Sequence, residues 1–350
     1  MAARPGQILY EAGIAPNCQR HRGAAPGEDE THHRGSDTLV DQTPPEPGIA
    51  FPAPPLWSSS QASPPARDAA DAIHPLAQKP AESSLNSPVF IVGSPRSGTS
   101  ILINGLMAAG YKGFREGNFL TLLRMFQISA QRHRTIFGTN VDKVLAGRID
   151  WPAFINDISL VFKRHVDALN PVSPWVDKTG NPEMIEAIPQ IRLLWPSAVF
   201  IFAKRRAIEN ISSRVKKFPE HTFEYHCRDW SRNMAAWRAV RDQVGLRGIE
   251  IDQQDIIRSP ELVAARLGDI LGAGPEARER IRATFTKDRP QQTEQGSAAR
   301  VVSMDSVAWN AEQREIFLRL CWPEMVQFNY SANESYWANT PAAAVSGLTV

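Results

Sequence analysis

One arginine, four hydroxyl residues and two glycines crowd into eight positions, Gly93-Ser-Pro-Arg-Ser-Gly-Thr-Ser100. The apolar run Val89–Val92 comes before them, and the apolar-rich Ile101–Met107 follows. That order predicts a buried strand, a glycine-rich turn and the start of a helix. Such a turn points successive backbone N–H groups at one spot and puts the positive end of a helix dipole there. Arg96 and the hydroxyls add a cation and further donors. The chemistry implied is the grip of a phosphate or a similar anion.

The spacing nearly fits the nucleotide P-loop, Gly-x-x-x-x-Gly-Lys-Ser/Thr. Gly93, Gly98 and Ser100 take their places, but Thr99 stands where the lysine would be. That lysine reaches the terminal phosphates in kinases and ATPases, with metal completing the charge balance. Here the cation, Arg96, has moved to the front of the loop, which suits a different anhydride. A second strand and helix follow the same logic. Val199–Lys204 is apolar and ends in basic residues, and Ile208, Ile211 and Val215 repeat at helical spacing over Ala207–Lys217. Arg205 lies at the strand's end, with Ser213 eight residues on. A guanidinium gives bidentate, charge-assisted bonds to phosphate, and a serine adds a hydroxyl donor. Lys217, one turn beyond Ser213, is an auxiliary candidate. The competing view is a solvated basic cluster, Lys204 to Arg206, at a strand end.

Two more residues complete the set. Trp175-Val-Asp-Lys178 predicts a short strand ending in a lysine, with Asn181 as a helix cap and Pro182 at the first helical position. Glu116 lies in Gly110–Phe119, twenty positions after Arg96 and just before a helical pattern. It is a candidate general base, or else a carboxylate that complements a helix dipole. To act as a base it needs Arg115 to point away, since pairing with that guanidinium would hold the carboxylate ionised.

The loop Gly93–Ser100 resembles the 5′-phosphosulfate loop of sulfotransferases that use 3′-phosphoadenosine 5′-phosphosulfate (PAPS). Its Pro-Arg-Ser-Gly-Thr form is similar to the tyrosylprotein and carbohydrate branches. The resemblance runs over about residues 88–330. It implies an α/β fold with a mostly parallel sheet flanked by helices, in a P-loop-like sulfotransferase architecture. It implies sulfonate transfer from PAPS to an acceptor hydroxyl or amine, releasing 3′,5′-bisphosphoadenosine (PAP), with no metal. Arg205 and Ser213 correspond to the pair that binds the 3′-phosphate. The amides of Ser97, Gly98, Thr99 and Ser100 would hold the 5′-phosphate. Arg96 and Lys178 would stabilise charge on the sulfonate and leaving phosphate, and Glu116 would take the acceptor proton. Two departures stand out. Gly180 occupies the place where the cytosolic branch often carries a catalytic histidine, and Gln253 the place of a tyrosine near the adenine. Two alternatives stay open: a P-loop nucleotide kinase or hydrolase with a degenerate loop, and a non-catalytic PAP-binding protein.

At 350 residues and 42% hydrophobic content the chain can bury one full core. A net charge of +2 does not suggest a nucleic-acid partner. Cys18, Cys227 and Cys321 are too few and too scattered for a metal motif or a disulfide framework, which fits a reduced, cytoplasmic setting. No apolar run reaches the length of a membrane span, and Met1–Tyr10 lacks the apolar core of a signal peptide. Residues 1–86, rich in proline and serine, are expected to be disordered, residues 87–330 to form the sulfotransferase-like domain, and 331–350 to be a loose tail. Helical patterns over 118–133 and 151–169 interrupt the strand–helix alternation and are expected to wall the acceptor. Arg289 and Arg300, in a late polar loop, are candidate cofactor contacts. The acceptor's identity is open to carbohydrate, lipid, peptide tyrosine or a small molecule.

Overall fold

The computed structural model describes residues 87–137, 143–170, 174–287 and 301–338. The expectations for residues 1–86 and 339–350, and for Arg289 and Arg300, lie outside the described residues.

Five strands form one parallel sheet among the described residues: β1 (Val89–Val92), β2 (Lys112–Phe114), β3 (Trp175–Thr179), β4 (Val199–Lys204) and β5 (Gly248–Asp252). Their spatial order is β2-β3-β1-β4-β5. The chain therefore leaves β1 on one side, returns beside it as β3, and continues on its other side as β4. Ligand sites of open α/β sheets lie at the strands' carboxyl ends where the strand order reverses in this way.

Parallel sheets need cover on both faces, and their strands read as unbroken apolar runs. Both hold here. Phe90 and Val92, with Phe200 and Phe202, pack on one face against Met184, Ile208, Trp230 and Trp237. Val89, Ile91, Val199 and Ile201 pack on the other against Leu102, Leu106, Leu267 and Ile281. The Phe202 and Trp237 rings stack with centroids 4.7 Å apart. These tryptophans are core residues. The first face is covered by α5 (Pro182–Glu186), α6 (Ile188–Leu194), α7 (Ala207–Lys217) and α8 (Phe223–Val244), and the second by α1 (Thr99–Ala108), α9 (Gln253–Arg258), α10 (Pro260–Leu271) and α11 (Pro275–Lys287). Helices α2 (Thr121–Phe137), α3 (Leu145–Arg148) and α4 (Trp151–Leu169) fill the interval between β2 and β3, and α12 (Ala311–Leu320) and α13 (Trp322–Gln327) close the described chain.

Three local features depart from or add to the sequence reading. The helical stretch that opens at Pro182 is two helices, because Pro189 has no N–H to donate and its ring opposes the carbonyl one turn back. Strand β2 carries no periodic signal in its three residues. It forms because Gly113, at φ 129°, lets the chain press against β3, where a Cβ would stand 2.0 Å from the Val176 carbonyl oxygen. The segment 331–338, expected to belong to a loose tail, is packed. Tyr336 is buried, its hydroxyl accepts from the Arg206 backbone N–H at 3.1 Å, and it donates to Asp252 Oδ1 at 2.8 Å.

Asp252 ends β5 and is fully buried. It accepts from Tyr330, from Tyr336 and from the Gln254 N–H at 2.5, 2.8 and 2.7 Å. Burial outweighs these bonds and pushes its carboxyl up to about 6, from an ordinary 3.8. The folded chain thus holds this proton more tightly than the unfolded one, so its contribution to stability is full below pH 3.8 and is lost as pH rises through 6. The unfolding free energy of the wild type minus that of Asp252→Asn should rise as pH falls from 6 towards 4, and be level above about 7. Denaturant titrations across that range measure it, and a difference independent of pH would refute it.

Candidate active site

The loop after β1 is shaped by two close backbone approaches. Gly93, at φ 132°, leaves no room for a side chain, since a Cβ would stand 2.1 Å from the Ala203 carbonyl oxygen of β4. Gly98, at φ 89°, turns the chain into α1. No side chain caps that helix, so its first amides face outward without a side-chain acceptor. Arg96 takes a positive φ of 71°, an uncommon conformation for a residue with a side chain.

Helix α7 holds this loop from below. Asn210, fully buried, donates through Nδ2 to the Pro95 carbonyl and to Ser97 Oγ, both at 3.0 Å. Because Ser97 Oγ accepts there, its own proton is left for another partner. Arg214, one turn on, donates to Ser94 Oγ at 2.9 Å and pairs with Asp229 at 2.7 Å. His226 accepts from Arg214 Nε at 3.3 Å, which makes it a neutral imidazole, and burial lowers its pKa accordingly. Neither Asn210 nor Arg214 was singled out from the sequence. The signal was there: Asn210, Ser213, Arg214 and Lys217 form a polar stripe at helical spacing, opposite buried Ile208 and Ile211.

The sequence-predicted cations and hydroxyls meet at this loop. Arg96 Nε donates to Ser213 Oγ at 3.0 Å, and Arg205 Nη1 donates to the Arg96 carbonyl oxygen at 3.2 Å. Arg205 is only 9% exposed, and among the described residues no carboxylate forms an ion pair with it. Burial depresses its pKa, and burial together with the Arg205 charge lowers that of Arg96 beside it. Two guanidiniums held together in this way attract a multiply charged anion. Arg206 has a different fate. It is fully buried, pairs with both oxygens of Glu209, and donates to the carbonyls of Val302, Ser331 and Asn333. It clamps the packed C-terminal segment and has nothing left for a ligand.

Lys178 and Glu116 also come together, as an ion pair from Lys178 Nζ to Glu116 Oε1. The lysine is 8% exposed and the glutamate 59%. Arg115 turns the other way, to Asn104 Oδ1. Behind them Asp177 lies against Gly117, where a Cβ would collide with its carboxylate. Desolvation pushes the Asp177 carboxyl up to about 6, with Thr179 donating to it at 3.0 Å and the nearby Glu116 charge adding to the rise. At Gly180, in the place of that histidine, a Cβ would stand 3.2 Å from the Gly93 carbonyl oxygen, a tight contact, and 3.8 Å from the Pro95 ring, an ordinary one. Gln253 opens α9 and lies against the loop, its Cγ 3.2 Å from where a Gly98 Cβ would be.

A sequence model of the sulfotransferase family matches residues 88–274, which covers the loop, Glu116, Lys178, Arg205 and Ser213. The chain belongs to the sulfotransferase family. No curated protein matches it. Among solved structures it is similar to the sulfotransferase domain of the Synechococcus PCC 7002 olefin synthase, with 17% identity, a TM-score of 0.44, and coverage of 73% of this chain and 99% of that one. The sulfotransferase domain from the curacin biosynthetic pathway shows 16% identity, a TM-score of 0.42, and coverage of 71% and 99%. A Mycobacterium avium sulfotransferase shows 12%, 0.43, and 70% and 76%. The family implies a sulfonate donor and an acceptor. Among the described residues no cluster of His, Cys, Asp or Glu suited to a metal occurs, and no helix is long and apolar enough to cross a membrane.

Asn210→Ala should lower the unfolding free energy of this sulfotransferase by about 1–3 kcal/mol, because it removes the buried donor to Ser97 Oγ together with the bond to the Pro95 carbonyl. Chemical denaturation measures this. A change below about 0.5 kcal/mol would show that the loop holds its shape without α7.

Proposed function

We propose that this sulfotransferase moves the sulfonate of PAPS to an acceptor hydroxyl or amine and releases PAP. The observation that carries the proposal is Arg205: nine-tenths buried, at a strand's carboxyl end, beside Arg96 and Ser213. A buried cation needs compensation, and a phosphate against this pair supplies it. The 3′-phosphate of PAPS is the group that ATP lacks. The N-terminal amides of α1 and the Ser97 hydroxyl suit the 5′-phosphate. The Pro-Arg-Ser-Gly-Thr loop favours the tyrosylprotein and carbohydrate branches.

In this reading Glu116 accepts the acceptor's proton as the acceptor oxygen or nitrogen bonds to sulfur. The bond from sulfur to the 5′-phosphate oxygen breaks, and PAP leaves with that electron pair. Lys178 and Arg96 stabilise the charge that builds on the sulfonate and the leaving phosphate. The Glu116–Lys178 ion pair supports this reading, since it holds the proposed base and cation within reach of one another.

PAP should bind without magnesium and much more tightly than ADP, and Arg205→Ala should erase most of that preference. The loss corresponds to about 1.5–3 kcal/mol, or roughly ten- to a hundredfold in affinity. Calorimetric titration decides it: equal affinity for PAP and ADP, or a strict magnesium requirement, would favour a nucleotide kinase. Glu116→Gln should cut turnover by roughly 100-fold with little change in PAP affinity. If turnover persists and binding falls, Glu116 serves the structure and the base lies elsewhere. Selective PAP binding with no transfer to any acceptor would leave a nucleotide-binding protein on this fold.

A further inference from the structure

Asp177 is a buried charge that the proposed reaction does not use, and its surroundings bear on how Glu116 is placed. This step rests on Glu116 being the base. Strand β2 pairs with β3 only as far as Phe114, which lies level with Asp177. Glu116 stands two residues past that last sheet pairing and ahead of α2, with 59% of its side chain exposed. Neither the sheet nor the helix fixes it. A base must nonetheless be held close to the atoms that react, and small displacements cost rate.

Three hydrogen bonds fasten the turn. The Gly117 N–H donates to the Lys178 carbonyl oxygen at 3.1 Å, and the Asn118 N–H donates to Thr179 Oγ1 at 3.0 Å. The Asn118 carbonyl accepts from Thr121 Oγ1 at 2.7 Å. Asn118 takes a φ of 54°, in the left-handed region that residues with a side chain seldom adopt, so its conformation needs holding. Gly117 lets the turn lie flat on β3, because a Cβ there would collide with the Asp177 carboxylate.

Thr179 is the centre of this arrangement. It is fully buried, and its hydroxyl donates to Asp177 Oδ1 at 3.0 Å. Desolvation pushes the Asp177 carboxyl up to about 6, so at neutral pH and above it is a carboxylate that can only accept. The single hydroxyl proton of Thr179 is thereby committed to Asp177, and an Oγ1 lone pair is left for the Asn118 N–H. A buried carboxylate is costly, and here it removes the choice of hydroxyl direction. We propose that Thr179 is the residue that positions Glu116 against Lys178, with Asp177 fixing the direction of its hydroxyl.

Two readouts on the full chain at pH 8, with neither donor nor acceptor present, test this. The first is hydrogen exchange in the wild type, resolved to single amides. Gly117 and Asn118 should exchange at least about tenfold more slowly than in a free peptide of the same sequence, although they lie on an exposed turn. Exchange at the free-peptide rate would overturn the assignment. The second is the rate at which acetic anhydride acetylates Lys178, read by mass spectrometry. Glu116→Gln should raise that rate about tenfold, the worth of one charge-assisted hydrogen bond. Thr179→Val, close in shape, should raise it by about threefold or more. Thr179→Ser keeps the hydroxyl and should react as the wild type does. In the Glu116→Gln background Thr179→Val should add nothing, because its effect runs through Glu116. An equal increment in that background would overturn the proposal, as would a wild-type rate in Thr179→Val or in Glu116→Gln alone. The two proposals fail separately: absent PAP binding, or undiminished turnover in Glu116→Gln, refutes the reaction, whereas exchange and acetylation judge Thr179 by itself.

Discussion

The close contact between the loop after β1 and the β4–α7 unit is the constraint on which the site depends. Gly93 touches the backbone of Ala203 at a distance that only glycine allows, and α7 then reaches across to the same loop through Asn210, Ser213 and Arg214. One helix thus sets the carbonyl of Pro95, the hydroxyls of Ser94 and Ser97, and the side chain of Arg96. The sheet register does the rest. Val92 of β1 is level with Thr179 of β3 and Phe202 of β4, so the three strands end nearly together. Lys178 and Arg205 are carried to the two flanks of the same loop without any contact between them.

Arg205 and Arg206 show how differently two adjacent guanidiniums can be used. Both are buried, and burial of a cation is costly unless charge and hydrogen bonds are returned to it. Arg206 recovers both, from Glu209 and from three carbonyls. That binds α7 to the segment around Ser331–Tyr336, and Tyr336 passes the contact on to Asp252 at the end of β5. Arg205 gains one carbonyl hydrogen bond among the described residues. Trp230 holds its backbone carbonyl at 3.0 Å, so the residue cannot retreat from the cleft without disturbing α8. The rigidity spent on Arg206 is what keeps Arg205 in place.

What the sequence made legible was local. The strand–turn–helix around Gly93–Ser100 and the interval from Arg205 to Ser213 are patterns within one supersecondary unit, and both elements fold as their periodicity predicts. That interval alone names Arg205; its neighbour Arg206 is committed to Glu209 and three carbonyls. What escaped needs partners distant in sequence. Asn210 is an unremarkable helical asparagine until β1 brings Pro95 above it. Asp177 is one of many acidic residues until Gly117 closes over it and water is excluded. Strand β2 exists through its pairing with β3, and Tyr336 is buried because Arg206 and Asp252 await it. Propensity and spacing hold no record of such pairings.

The Glu116–Lys178 ion pair ties these levels together. The proposed reaction needs both groups near one point, and the two are paired with each other. Lys178 is nearly buried and held by its strand, whereas Glu116 stands on an exposed turn between β2 and α2. The glutamate is the partner with room to move, but its departure alone would leave the Lys178 ammonium buried without a counter-charge. Under the proposed reaction an incoming sulfonate offers Lys178 a competing anion. That exchange would leave the Glu116 oxygen without its ion-pair partner and open to the acceptor. The donor would then prepare the base by electrostatics alone, with no rearrangement of the sheet.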